Sequence, residues 1–218
     1  MLSICNLVTS IPTTTGDFGS AYCNYKHFHS IVLMAVVDSD YKFMNVYVGA
    51  NGAGSDGGVF MNTEIRQCFK EGSLGLPLPS PLPGGDTDVG YFLVGDEAFP
   101  LKTWLMKPLP SRNLTVEQRI YNYRLSRARR VVENAFGILA HRFRCLLTTL
   151  QQSPKKVEAL VLACCLLHNL MRTRYPMLIA EGLDREDPVT HHMQPGAWRQ
   201  EEVTLRDVTT SGGTKTAY

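Results

Sequence analysis

Three acids stand in contexts that suit phosphate chemistry: Asp56 in GAGSDGGVF, Asp96 in YFLVGDEAFPL and Glu133 in RRVVENAFG. Hard divalent cations such as Mg2+ or Mn2+ take carboxylate oxygens, and a pair of them can clamp the attacking and leaving oxygens of a phosphodiester. Glu133 is the single carboxylate of residues 121–144, YNYRLSRARRVVENAFGILAHRFR, a helix-length run crowded with arginine. Arg127, Arg129 and Arg130 are its candidate contacts to a phosphate backbone. Each residue also has an ordinary reading. Asp56 suits a helix N-cap, Asp96 a strand-end turn, and Glu133 an i, i+4 partner of Arg129 on a solvated helix face. Together, three acids from three separate elements, one on a basic helix, point to a divalent-metal site that works on nucleic acid.

Elements must hold these acids. HSIVLMAVV, residues 29–37, is a continuous apolar run rich in β-branched residues and reads as a buried strand. Residues 42–48 alternate and read as a second strand, joined to the first by a tight DSDY hairpin. The glycine-rich GANGAGSDGG leads into a predicted helix over 59–70, and the proline- and glycine-rich residues 74–88 read as loop. Residues 90–94 form a third apolar strand ending at Gly95-Asp96, followed by a predicted short helix over 100–106 with Pro100 in its first turn. Thr115 can cap a long helix whose stripe of Ala128, Val132, Ala135, Phe136, Leu139 and Phe143 faces a core. Ser153 caps another over 154–173, and Leu160, Leu162, Ala163, Leu166, Leu167 and Leu170 predict its burial. Residues 1–24 read as irregular, and the pattern fails beyond Pro176, which predicts a mobile tail. Strands followed by helices make an α/β layer arrangement, in which strand ends can gather acids at one edge of the sheet.

Composition bounds the rest. The 218 residues suit one domain with tails, and 44% hydrophobic residues can build a sizeable core. No apolar run reaches the roughly 18 residues that cross a bilayer, so no membrane partner is expected. MLSICNLVTSIP lacks a basic n-region, so no secretory leader is expected. The six cysteines are scattered without a CxxC pair, which fits a reducing compartment, cytosol or nucleus. Cys164, Cys165 and His168 read as core rather than zinc ligands. Charge is uneven. Residues 1–111 hold six Lys+Arg against ten Asp+Glu, a net of −4; residues 112–218 hold sixteen against ten, a net of +6. A basic half beside an acid-bearing half points to a polyanionic partner.

Several motifs in order then identify relatives. CNYKHFHSIVLMAVVDSDYKF, VGANGAGSDGGVF, GDEAFPLKTWLMKP, NLTVEQRIYNYRLSRARRVVENAFGILAHRFR and VLACCLLHNLMR closely resemble the Harbinger-type transposase-derived nucleases of the DDE endonuclease superfamily. The resemblance implies a ribonuclease-H-like mixed sheet flanked by helices over residues 22–175, between an irregular 1–21 and a mobile 176–218. It implies DNA as substrate, Mg2+ or Mn2+ as cofactor, a nuclear or cytoplasmic location and a separate Myb-like DNA-binding partner. It places the metal-binding and catalytic acids on Asp56, Asp96 and Glu133. The family's first catalytic aspartate lies on its opening strand, upstream of an NYK. Ahead of Asn24-Tyr25-Lys26 this chain has only Asp17, in a Thr/Gly loop. The departure implies a shortened or altered copy, with the opening strand missing or disrupted and either an impaired nuclease or a silent binding module that retains metal.

Overall fold

Leu2–Ser10 (LSICNLVTS) forms the first strand, β1, and overturns for these residues the expectation of an irregular segment with the opening strand missing or disrupted; residues 12–21 lie outside the described residues. The computed structural model describes residues 2–11, 22–24, 27–52, 54, 56–82, 84–175, 183–187, 190 and 192–196. Thr, Ser and Asn make this stretch read as loop, but it lies in the middle of a sheet. Continuous backbone pairing with β2, joined at Leu2 and Ser3 by β6, outweighs weak strand propensity there. Ser30–Val37 (SIVLMAVV) is β2, buried at every position. It pairs antiparallel with β1 from Ser3↔Val37 to Ser10↔Ser30. Phe43–Asn51 is β3, antiparallel to β2. The turn between them is held by the Asp38 carboxylate, which accepts from the N–H groups of Asp40 and Lys42 at 2.9 Å each.

The helix expected over 59–70 splits in two, α1 at Asp56–Met61 and α2 at Glu64–Glu71. Thr63 ends the first, its hydroxyl donating to the Phe60 carbonyl at 2.8 Å. Within the expected loop 74–88, Ser80–Pro81 (β4) pairs with Asp88–Val89 (β5). Leu93–Val94 is β6, parallel to β1 with Leu2↔Leu93 and Ser3↔Val94. The short helix expected over 100–106 is absent. Leu105–Met106 is instead β7, parallel to β6, because the ladder with Leu93–Val94 buries Leu105 completely. The main sheet has the order β3-β2-β1-β6-β7.

Val116–Arg142 is α3, opened by the capping box of Thr115 and Gln118. Pro154–Arg174 is α4, with Pro154 in its first turn. Both cover one face of the sheet, where Cys5, Leu7, Leu33, Val132, Phe136, Leu139, Val157 and Val161 share one core cluster. The other face packs Ile4, Met34 and Val36 against Phe60, Phe69 and Phe99 of the α1–α2 side. Trp104 stacks on Phe69 at 5.3 Å, whereas Tyr91 is exposed. The fold is a mixed parallel and antiparallel sheet flanked by helices, consistent with a ribonuclease-H-like fold.

Two expectations at the C-terminal end need correction. α4 is not wholly buried: Val157, Val161, Cys164, Cys165 and His168 face the core, but Leu162, Leu166, Leu167 and Leu170 are exposed. Only three or four residues per two turns of a helix can face one layer, and α4 has apolar residues nearly all round. Of the expected tail 176–218, Arg185–Glu186 (β8) and Met193–Gln194 (β9) form a hairpin. Residues 176–182 and 197–218 lie outside the described residues. Among the described residues no helix is long and apolar enough to cross a membrane.

Candidate metal and nucleic-acid site

Asp96 follows β6 by two residues and is 3% exposed. Its Oδ1 accepts the Ala98 N–H at 2.9 Å, while Oδ2 has no hydrogen-bond partner. The glycine before it packs closely, since a Cβ on Gly95 would lie 3.0 Å from the Phe99 ring. The turn that carries Asp96 also meets α1: a Cβ on Gly57 would lie 3.0 Å from the Ala98 carbonyl oxygen. The first turn of α1, which begins at Asp56, therefore abuts the Asp96 turn. The Asp56 side chain lies outside what the structure describes.

Glu133 comes to the same level from the helical side. Val94 packs with Leu125 and Ala128 of α3, and the Ser3 hydroxyl donates to the Ala128 carbonyl at 2.9 Å. Past the end of α3, the Leu150 N–H reaches the Ser10 carbonyl at 3.1 Å, so α3 runs alongside β1 and β6 in the same sense. Asp96 lies two residues beyond Val94, about 7 Å along a strand. Glu133 lies five beyond Ala128, about 7.5 Å along a helix. Arg129 Nη2 sits 3.4 Å from Glu133 Oε1, and Arg129 Nε is buried without a partner.

β1 passes between these two elements and carries no acid. Extending its parallel register with β6 sets Cys5, 2% exposed, level with Asp96. Ser3 and Cys5 face α3, whereas Ile4 faces the other layer. β1 is thus a formed strand whose α3-facing side chains include no carboxylate. Among the described residues no group of three His, Cys, Asp or Glu side chains converges to hold a metal ion. Asp96 keeps one carboxylate oxygen without a partner, whereas Glu133 is paired with Arg129. Cys5 and Leu7 at i, i+2 on one face, with Ile4 on the other, were the sequence signal for this strand, obscured by their polar neighbours.

The candidate phosphate contacts are occupied within the chain. Arg127 Nε and Arg130 Nη2 both pair with Glu186 Oε2 of the β8–β9 hairpin, at 3.1 and 2.7 Å. Tyr123 donates its hydroxyl to the same carboxylate, which raises the phenol pKa, and Arg130 also contacts the Met193 sulfur. The Asn134 side chain anchors the hairpin by accepting the Asp184 N–H at 3.2 Å. Glu186 was not visible as a functional residue from sequence, because 56 residues separate it from Arg130.

His168, Cys164 and Cys165 belong to the core. His168 is fully buried, its Nε2 donating to the Tyr41 carbonyl at 2.8 Å, and burial pulls its pKa down to about 4. Burial pushes the Cys164 thiol up to about 11 and the Cys165 thiol up to about 12. Such thiols pack and do not react. His141 is exposed on α3.

Comparison with known proteins places this geometry. Residues 5–169 match the family described as DDE superfamily endonuclease. The chain is 33% identical over 153 residues to the mouse and human proteins named "Putative nuclease HARBI1", covering 69% of this chain and 40% of each relative. It is 28% identical over 171 residues to "Protein ALP1-like" of Arabidopsis thaliana, covering 78% of this chain and 42% of that protein. The chain thus spans about two fifths of the length of these relatives. No solved structure matches it. A sheet with β1 at its centre, an acid at the end of β6 and another on α3 is the arrangement in which the matched motifs lie, and the chain belongs to the DDE superfamily endonucleases, homologous to the Harbinger transposase-derived nucleases.

Proposed function

We propose that this chain acts on DNA as a divalent-metal-dependent nuclease domain of reduced competence, with its cation held by Asp96, Glu133 and Asp56. The observation that carries this reading is the buried Asp96 carboxylate with one oxygen unpartnered. Burying such an oxygen is costly, and a hard cation is the ligand that offsets the cost. A bound Mg2+ or Mn2+ supplies Lewis-acid stabilisation of the charge that develops on a phosphodiester. The chain's own residues orient and attract. The Ala98 N–H fixes the Asp96 carboxylate and the α1 contact seats the first turn of that helix beside it, while Arg127 and Arg130 would meet phosphate only on release from Glu186. A nuclear location and a separate Myb-like DNA-binding partner belong to the same reading.

A second reading, a catalytically silent DNA- or protein-binding module that retains the metal, is favoured by the acid-free face of β1. One experiment separates the two. Mn2+ is titrated into the chain by calorimetry, with Asp56→Ala, Asp96→Ala and Glu133→Ala in parallel, and plasmid nicking is followed on the same samples. Binding lost in all three variants, with nicking that tracks it, supports the nuclease. Binding without nicking moves the chain to the silent module. No binding by the unmutated chain refutes the shared metal site.

A further inference from the structure

α4 carries a second apolar face. Its core face is Val157, Val161, Cys164, Cys165 and His168. On the opposite side Leu162, Leu166, Leu167 and Leu170 are 38%, 70%, 48% and 47% exposed, and Ala159 and Ala163 are exposed with them. These six positions follow the i, i+3, i+4, i+7 spacing of a stripe that packs against another helix. Four leucines contiguous over three turns are more than the scattered apolar residues of an ordinary surface.

The charges around the stripe say what covers it. Cations stand at both ends: Lys155 and Lys156 at the first turn, Arg172 and Arg174 at the last. Lys155, Lys156 and Arg174 are exposed and make no ion pair among the described residues. Arg172 donates to the Asp40 carbonyl at 2.7 Å and lies over Tyr41 at the same end of the helix. The helix's one acid, Glu158, is on the sheet-facing flank, where a Cβ on Gly49 would lie 2.7 Å from its Oε1. A second copy of α4 would set cations against cations in either orientation, which disfavours a symmetric pair. A helix with acids at both ends matches the stripe and its flanks at once.

We propose that the outer face of α4 docks an amphipathic helix of another polypeptide, apolar along one stripe and acidic at both ends. The test uses the full chain, two synthetic peptides of α4's length and fluorescence anisotropy. Both peptides are helical with leucines at i, i+3, i+4 and i+7; one has glutamates at both ends, the other lysines. The glutamate peptide binds about tenfold or more tighter than the lysine peptide. Leu166→Gln and Leu170→Gln remove that binding and leave the thermal melt unchanged, because both side chains are exposed. Equal binding of the two peptides, or binding indifferent to the leucine changes, overturns the proposal. So does a dimer in sedimentation that Leu166→Gln dissociates, which makes the occupant a second copy. A crosslink from residues 197–218 to α4 assigns the face to the chain itself, and partition onto anionic vesicles without peptide binding assigns it to a lipid surface; either overturns the proposal as well.

Discussion

Changing Asp96 to Asn separates the cost of this residue from its use. Asp96 is 3% exposed, and only Oδ1 has a partner, the Ala98 N–H at 2.9 Å. Asparagine has the same shape, and its side-chain oxygen can accept the same bond. What changes is the other terminal atom, from a charged oxygen without a partner to a neutral amide without one. Leaving a buried polar group unsatisfied costs about 1–3 kcal/mol, and more when it is charged, so the exchange stabilises the metal-free chain by about 1–2 kcal/mol. For a chain of 218 residues this raises Tm by about 2–8 °C. The gain appears only without metal. With Mn2+ at a hundred times its Kd, the unmutated chain gains about 2.7 kcal/mol by mass action, and Asp96→Asn gains nothing. Thermal melts of both proteins, with EDTA and with Mn2+, read all four states. A variant less stable than the parent in EDTA, or one that keeps the full Mn2+ shift, refutes the reasoning, because Asp96 would then be a satisfied structural acid.

Further outcomes follow from the same geometry. Cys5→Asp puts a carboxylate on β1 level with Asp96, so calorimetry should show Mn2+ binding tightened by about tenfold, with plasmid nicking raised; unchanged binding places the missing acid elsewhere on the strand. Glu186→Gln releases Arg127 and Arg130 from the hairpin, and duplex DNA should bind about fivefold tighter at low salt, from roughly 1 kcal/mol of ion-pair energy. Unaltered or weaker binding in an anisotropy titration means that the hairpin does not compete with phosphate. His168 has its pKa pulled down to about 4 by burial, against an ordinary 6.5. The unfolded chain takes up that proton first, so stability is constant above about pH 6.5, falls as pH drops toward about 4, and loses up to about 3 kcal/mol over that window. Urea unfolding at pH 7 and pH 5 should lose part of this difference in His168→Gln, and an identical pH dependence in the variant would exclude His168 as its source.

Much of the fold is legible in the residues alone. β2 is an unbroken apolar run because both of its faces are covered, and α3 announces itself through a capping box and a 3.6-residue stripe. Asp96 and Glu133 can be singled out because each sits at an identifiable boundary, a strand end and a stripe flank. Local patterns carry such information because backbone period and burial repeat along the chain. The sequence also settles that no acid lies on residues 2–10, whatever those residues form.

Only the tertiary structure decided what that absence means. LSICNLVTS has a loop's composition, yet it becomes the central strand because β2 pairs with it from Ser3 to Ser10 and β6 joins its other edge at Leu2 and Ser3. Cys5 then occupies the level of Asp96. Residues 100–106 look helical until a parallel ladder with β6 gives Leu105 a buried place. Glu186 meets Arg127 and Arg130 across more than fifty residues, a pairing no periodicity encodes. The leucines of α4 were expected inside, but a helix has two sides and the sheet covers only one, so the other stays exposed. Pattern tells which residues can be buried; the count and placement of neighbouring layers decides which ones are.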